Sequence, residues 1–136
     1  MRKLAVGLLA AGLFVGGAGT AMAATWHGIP KMQTSGAEFN SGKYTWWPAG
    51  TRHGGFEWKG NLKDANHGDG HNIYMQVKVE GYDWNRYNGK QRSTVPVGAL
   101  NWAPPQRYTD DADMRVCRDR GSLRPDNCSP TKHFDR

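Results

Sequence analysis

Beyond residue 23 no window long enough for a helix carries an apolar stripe at helical spacing, and all 7 prolines and 13 of the chain's 18 glycines fall there to interrupt one. A helical fold is therefore excluded. There is no internal repeat and no low-complexity tract, so a repeat array is not expected. Catalytic signatures are missing too, with neither a Gly-x-Ser-x-Gly elbow nor a His-Glu-x-x-His pair. Glutamate is scarce. Glu38, Glu57 and Glu80 are the only three, and the last two fall at outward strand positions where a solvated carboxylate is expected. Catalysis is not the expected role. Past the N-terminus no run is apolar enough to span a bilayer.

What is present begins with an export signal. Arg2 and Lys3 precede an apolar stretch from Leu4 to Gly19, and Ala21-Met22-Ala23 has the small-x-small form of a cleavage site, so residues 1–23 are predicted to be a secretory signal peptide. A membrane anchor would need about 20 unbroken apolar residues, and five glycines interrupt this run. Without Arg2 and Lys3 the formal charge falls from +6 to +4. That mild basicity speaks to solubility and non-specific association rather than to an acidic partner.

Cysteine is limited to Cys117 and Cys128. In an oxidising compartment they are expected to pair, and closing so short a ring is worth roughly 3 kcal/mol in the chain-entropy model. Redox-active pairs sit closer together and beside a helix start, so the bridge reads as structural. Asn127-Cys128-Ser129 fits the glycosylation pattern, but a bridged cysteine at its centre makes it a poor acceptor.

From 24 to 37 the chain shows little periodicity, and an irregular N-terminal arm is expected before a single β domain over 38–136. The clearest strand runs from Asn72 to Glu80, where Ile73, Met75, Val77 and Val79 alternate with polar neighbours. Lys43 to Trp47, Gly55 to Lys59, Thr94 to Leu100 and Ala112 to Arg118 repeat the pattern more weakly. Pro96 consigns its strand to an edge or a bulge. The expected fold is all-β, a small antiparallel sandwich or barrel of about five or six strands with one disulfide.

Three groups of side chains suggest a role. Aromatic residues are abundant, and Trp46, Trp47, Trp84, Tyr87 and Trp102 are candidates for ligand-facing rings, although some aromatics must build the core. Trp46 and Trp47 are adjacent on a strand and so point to opposite faces. From Trp84 to Thr109 there is no acidic residue, while Arg86, Lys90, Arg92 and Arg107 are interleaved with aromatics. Such a stretch could grip a polyanion. The third group is Asp64, His67, Asp69 and His71, whose residue types suit a divalent metal, although Gly68 and Gly70 preclude the helix that would align the two histidines. A polar turn feeding the strand is the plainer reading, the EF-hand pattern fails, and no cofactor is expected.

At Glu80-Gly81-Tyr82-Asp83-Trp84, and again from Cys117-Arg118-Asp119-Arg120-Gly121 to Asn127-Cys128, the chain resembles small exported actinobacterial proteins of the Streptomyces type. The resemblance implies an exported, compact β domain with a disulfide near its C-terminus, and brings no catalytic residues with it. The expected function is a secreted, non-catalytic binding module for an extracellular polymer, glycan or polyanion, or for a cell-surface protein. Nucleic acid is not the expected partner. Two alternatives remain: a toxin or enzyme inhibitor presenting Arg118, Arg120 and Arg124 on the Cys117 to Cys128 loop, and a metal-dependent protein built on His67 and His71.

Overall fold

The computed structural model describes residues 24–104 and 108–136; the predicted signal peptide and Arg107 lie outside them. Strand β5 (Ile73–Val79) has the predicted alternation, with Ile73, Met75, Val77 and Val79 buried and Gln76 and Lys78 on the opposite face. The other four predicted strands are also present, as β3 (Ala37–Trp46), β4 (Phe56–Asp64), β7 (Thr94–Asn101) and β8 (Asp111–Arg118). Five short strands join them: β1 (His27–Ile29), β2 (Met32–Thr34), β6 (Asn85–Asn88), β9 (Asn127–Cys128) and β10 (Lys132–Asp135). None exceeds four residues, too few for alternation to stand out from chance.

The strands form two antiparallel sheets of five. In one, β3 lies between β4 and the pair β1 and β2, and β7 forms the far edge. In the other, β8 lies between β5 and the pair β9 and β10, with β6 at the far edge. The sheets pack face to face, β2 against β8 and β4 against β5, and do not close into a barrel. Pro96 sits on edge strand β7, as its missing N–H requires.

The expectation of an irregular arm over 24–37 is corrected. Residues 27–34 pair along β3, and Ile29, Met32 and Ala37 enter the core. Only two or three apolar side chains anchor this stretch, so it shows no period of its own. Between the sheets Phe39, Phe56, Trp58 and Leu62 meet Ile73, Met75, Val77, Met114 and Val116, all fully buried. Each side chain of this size stabilises the fold by ~1.5–3 kcal/mol. The Phe39 ring lies against Gly42 and Gly60, where an added Cβ would come within 2.5 Å and 2.3 Å of it.

The disulfide joins Cys117 to Cys128 as expected, across the β8–β9 pair. No helix among the described residues is long and apolar enough to cross a membrane.

Candidate functional site

At one end of the sandwich, where Trp46 pairs with Phe56 and Phe56 with Asn101, loops from three strand connections meet. Trp46 turns inward and packs on Phe56 at 4.8 Å between ring centres, so it caps the core rather than presenting a free face. Its neighbour Trp47 turns the other way, as alternation demands. The Trp47 indole donates to Glu57 Oε2 at 2.7 Å, and the same oxygen pairs with Arg52 at 3.3 Å. Arg52 then lies over the Trp47 ring at 5.2 Å. Glu57 is thus not a free solvated acid but the post that orients a tryptophan and an arginine.

Arg52, His53 and Gly54 follow in a single left-handed turn, with φ of 45°, 59° and 58°. Two non-glycine residues there cost roughly 1–2 kcal/mol each. The turn is held by its surroundings. The Gly54 carbonyl accepts from the Thr109 amide at 2.9 Å and from Arg136 Nη2 at 2.7 Å. Arg136 also donates to the carbonyls of Thr109 and Trp47, while its guanidinium lies 3.8 Å from the centre of the Tyr108 ring. Strain at His53 sets its imidazole flat against Trp102, 4.0 Å away and 7° from parallel. Trp102 and Tyr108 are the large aromatics left most open here, 38% and 48% exposed.

Two clefts flank this cluster. One, of about 270 Å³, is lined by Thr25, His27, Thr45, Trp46, Trp47 and Arg136. The other, of about 260 Å³, is lined by Asn85, Tyr87, Leu100, Asn101, Trp102 and Pro104. Tyr87 belongs partly to the core, since its ring meets buried Trp58 edge-on at 5.1 Å and its hydroxyl accepts from Asn101 at 2.6 Å. Asn101 in turn accepts from the Trp58 indole at 2.8 Å.

The remaining sequence candidates lie elsewhere. Trp84 is half-buried against the outer face of the β5–β8 sheet, with Lys78 and Arg115 over its ring at 4.7 and 4.3 Å. Arg86 is engaged by Asp119 at 2.9 Å and by the Tyr74 ring at 3.7 Å. Lys90 and Arg92 are exposed at the opposite end of the sandwich from Trp47 and Trp102. The basic and aromatic candidates therefore do not form one continuous surface.

The metal candidates do not converge. Asp64 is buried and accepts from the backbone amides of Asn66 at 3.0 Å and Arg92 at 2.8 Å, closing two turns. Asp69 accepts from the His71 amide at 2.9 Å and pairs with Arg118 at 3.3 Å. Burial pushes the Asp69 carboxyl upward, but that amide and that guanidinium outweigh it and hold the group below its ordinary value. His67 is exposed on the turn. Both carboxylates thus serve the backbone and an ion pair, the plainer of the two readings.

The acids that do cluster are Glu80, Asp110 and Asp111, with ligand atoms within 4.8 Å of one another. Glu80 lies past the end of β5 at φ 52°, not outward on the strand, and its carboxylate accepts from the amides of Asp110 at 2.5 Å and Asp111 at 3.3 Å. Asp111 accepts from the Glu80 amide in return, at 3.0 Å. Burial, partly offset by these amides, raises the Glu80 carboxyl above its ordinary value. The three acids fasten a loop to a strand end.

The arrangement around Trp47 and Trp102 offers flat rings, each backed by a cation or an imidazole, beside shallow grooves. It is suited to stacking and shape recognition. No protein-family model, curated protein or solved structure matches this chain.

Proposed function

We propose that this protein is an extracellular, non-catalytic binding module that takes a glycan on the aromatic end of its sandwich. The observation that carries the reading is the pairing of Trp102 with His53 and of Trp47 with Arg52 on a strained turn. A ring held flat and partly open is a platform for the apolar face of a sugar, and rigid aromatics lose little entropy on binding. An uncharged glycan fits better than a polyanion here, because Arg52 is neutralised by Glu57 and Arg136 is committed to carbonyls. The disulfide supports an oxidising, extracellular setting.

The test is retention of the oxidised protein on insoluble glycans and isolated cell walls at low and high salt. Salt-resistant retention that Trp47→Ala and Trp102→Ala each abolish, with unchanged circular dichroism, is the expected result. Retention that high salt removes, or that survives both substitutions, overturns the reading.

A second reading has its own support. In the loop between Cys117 and Cys128, Leu123 is 96% exposed at the apex. The base is braced by the disulfide, by the Tyr74 hydroxyl donating to Asp126, and by the Arg120 amide donating to Asp126 at 3.0 Å. Burial and the adjoining Asp126 push the Tyr74 hydroxyl up to about 12, so it remains a donor at every physiological pH. Such a loop suits a toxin or inhibitor that inserts into a target. Of its arginines Arg124 is exposed, whereas Arg118 is committed to Asp69 and Asn127. Growth or protease inhibition that disappears on reduction supports this reading, and inhibition unaffected by reduction rules out the loop.

A further inference from the structure

The outer face of the β3–β4–β7 sheet holds an arrangement that the fold does not require. Lys43 on β3 stands directly opposite Lys59 on β4, and both are exposed. Like charges directly opposite on an antiparallel pair repel. Among the described residues no carboxylate lies within 4.0 Å of either ammonium. The two acids of this face are engaged elsewhere, Glu57 by Trp47 and Arg52, and Glu38 by Lys31 and Asn40.

A β-bulge accounts for the geometry. The β3–β4 register jumps between Asn40 and Lys43, and Ser41 sits at φ 53°. The extra residue resets the alternation, so that Tyr44 and Trp46 face inward while Lys43 faces outward. Ser41 is thereby exposed beside Lys43 in a hollow of about 270 Å³ that Lys59, Asn61, Pro96 and Val97 also line. Its polar side chains are two ammoniums, a hydroxyl and a carboxamide, and it has no carboxylate. Lys59 is positioned further by the Trp26 ring, 4.3 Å from its Nζ. Gly98 lies across from Lys59 on β7 and adds no side chain over it.

We propose that this hollow is an oxyanion subsite, in which Lys43 and Lys59 bridge one phosphate or sulfate group while Ser41 and Asn61 donate to its remaining oxygens. Binding relieves the repulsion between the two lysines, so the anion is taken up by the folded chain and stabilises it. The group could be the free ion or an ester on an extracellular polymer; the chemistry recognised is the same. The subsite does not depend on the aromatic end, and substitutions within it leave glycan retention through Trp47 and Trp102 unchanged.

The experiment is thermal unfolding of the oxidised full chain, with inorganic phosphate or sulfate titrated against chloride at constant ionic strength. In wild type, phosphate or sulfate raises the midpoint saturably and chloride does not. Lys43→Gln and Lys59→Gln each weaken the apparent affinity about tenfold, the loss of about 1.4 kcal/mol. Each also raises the midpoint in chloride alone, because the repulsion is gone. Lys63→Gln, the same charge change farther along β4, keeps the wild-type response. Amide chemical-shift changes in wild type, confined to 40–43 and 59–61, report the same site without any substitution. An ester-bearing oligosaccharide that binds more tightly than the inorganic ion assigns the group to a polymer, and equal affinity assigns it to the free ion; either result upholds the subsite. No midpoint shift, or the same shift in chloride or in both glutamine variants, overturns it.

Discussion

Replacing Asn101 by alanine removes a polar bridge between the core and the cleft beneath Trp102. Asn101 Oδ1 accepts from the Trp58 indole at 2.8 Å, and Asn101 Nδ2 donates to the Tyr87 hydroxyl at 2.6 Å. Trp58 is fully buried, and its N–H loses its hydrogen-bond partner when the carboxamide is gone. An orphaned buried donor costs about 1–3 kcal/mol. The Tyr87 hydroxyl reaches the cleft, where solvent replaces its lost partner at little expense. With a small term for the missing side-chain volume, the loss comes to about 2–3 kcal/mol. For a domain of this size that is a fall of roughly 10 °C in Tm. Urea unfolding of the oxidised protein, followed by tryptophan fluorescence, measures it directly. A double-mutant cycle isolates the cause, because in a Trp58→Phe background there is no indole N–H to orphan. There the cost of Asn101→Ala drops by about 1–2 kcal/mol. A loss below about 0.5 kcal/mol, or no coupling to Trp58→Phe, would refute the argument.

Three further outcomes are expected. Substituting both Cys117 and Cys128 by alanine lowers stability by about 2–3 kcal/mol in urea titrations, since the bridge closes a short ring; a loss under about 1 kcal/mol would mean that the Asp126 contacts already hold the loop. The two ring nitrogens of His133 face the carboxylates of Asp113 at 2.5 Å and Asp135 at 2.8 Å, and as acceptors for the imidazolium N–H groups these raise its pKa above the ordinary 6.5. Its contribution is therefore fully present below pH 6.5 and is lost as pH rises through the raised folded value. Because the ring is half exposed the effect stays under about 1 kcal/mol, and His133→Gln should flatten that part of the Tm-against-pH curve while leaving the rest unchanged. His53→Gly relieves a left-handed side chain and should leave stability equal or higher by up to about 1 kcal/mol, yet weaken glycan retention as Trp102 loses its backing ring. Retention at the wild-type level in that variant would remove His53 from the site.

The five long strands were legible because each spans enough residues to show a period of two, as Ile73 to Val79 does most clearly. The disulfide was legible from two cysteines in a chain whose N-terminus reads as an export signal, an expectation that makes pairing the default. β1 and β2 were not, since Ile29 and Met32 acquire meaning only when β3 is alongside to pair with. The site was legible in part. Trp46 and Trp47 were recognisable as pointing opposite ways, but which of them stays open depends on Phe56 on one side and Glu57 on the other. Tyr87 looked like a ligand residue and is half core, because Trp58, distant in sequence, lies beneath it. Arg52 and His53 carried no signal beyond the glycines that follow them, and their left-handed turn is imposed by Thr109 and Arg136.

By itself the sequence determined the class of fold, the face that each long strand buries and the covalent loop near the C-terminus, because these follow from local period and from the chemistry of two residues. The tertiary structure decided which aromatics and cations meet. That depends on the stacking of two sheets and on a bulge at Ser41 that resets one strand's alternation, and contacts such as His53 on Trp102 or Arg136 on Gly54 join residues tens of positions apart, leaving no pattern in any single window of the chain.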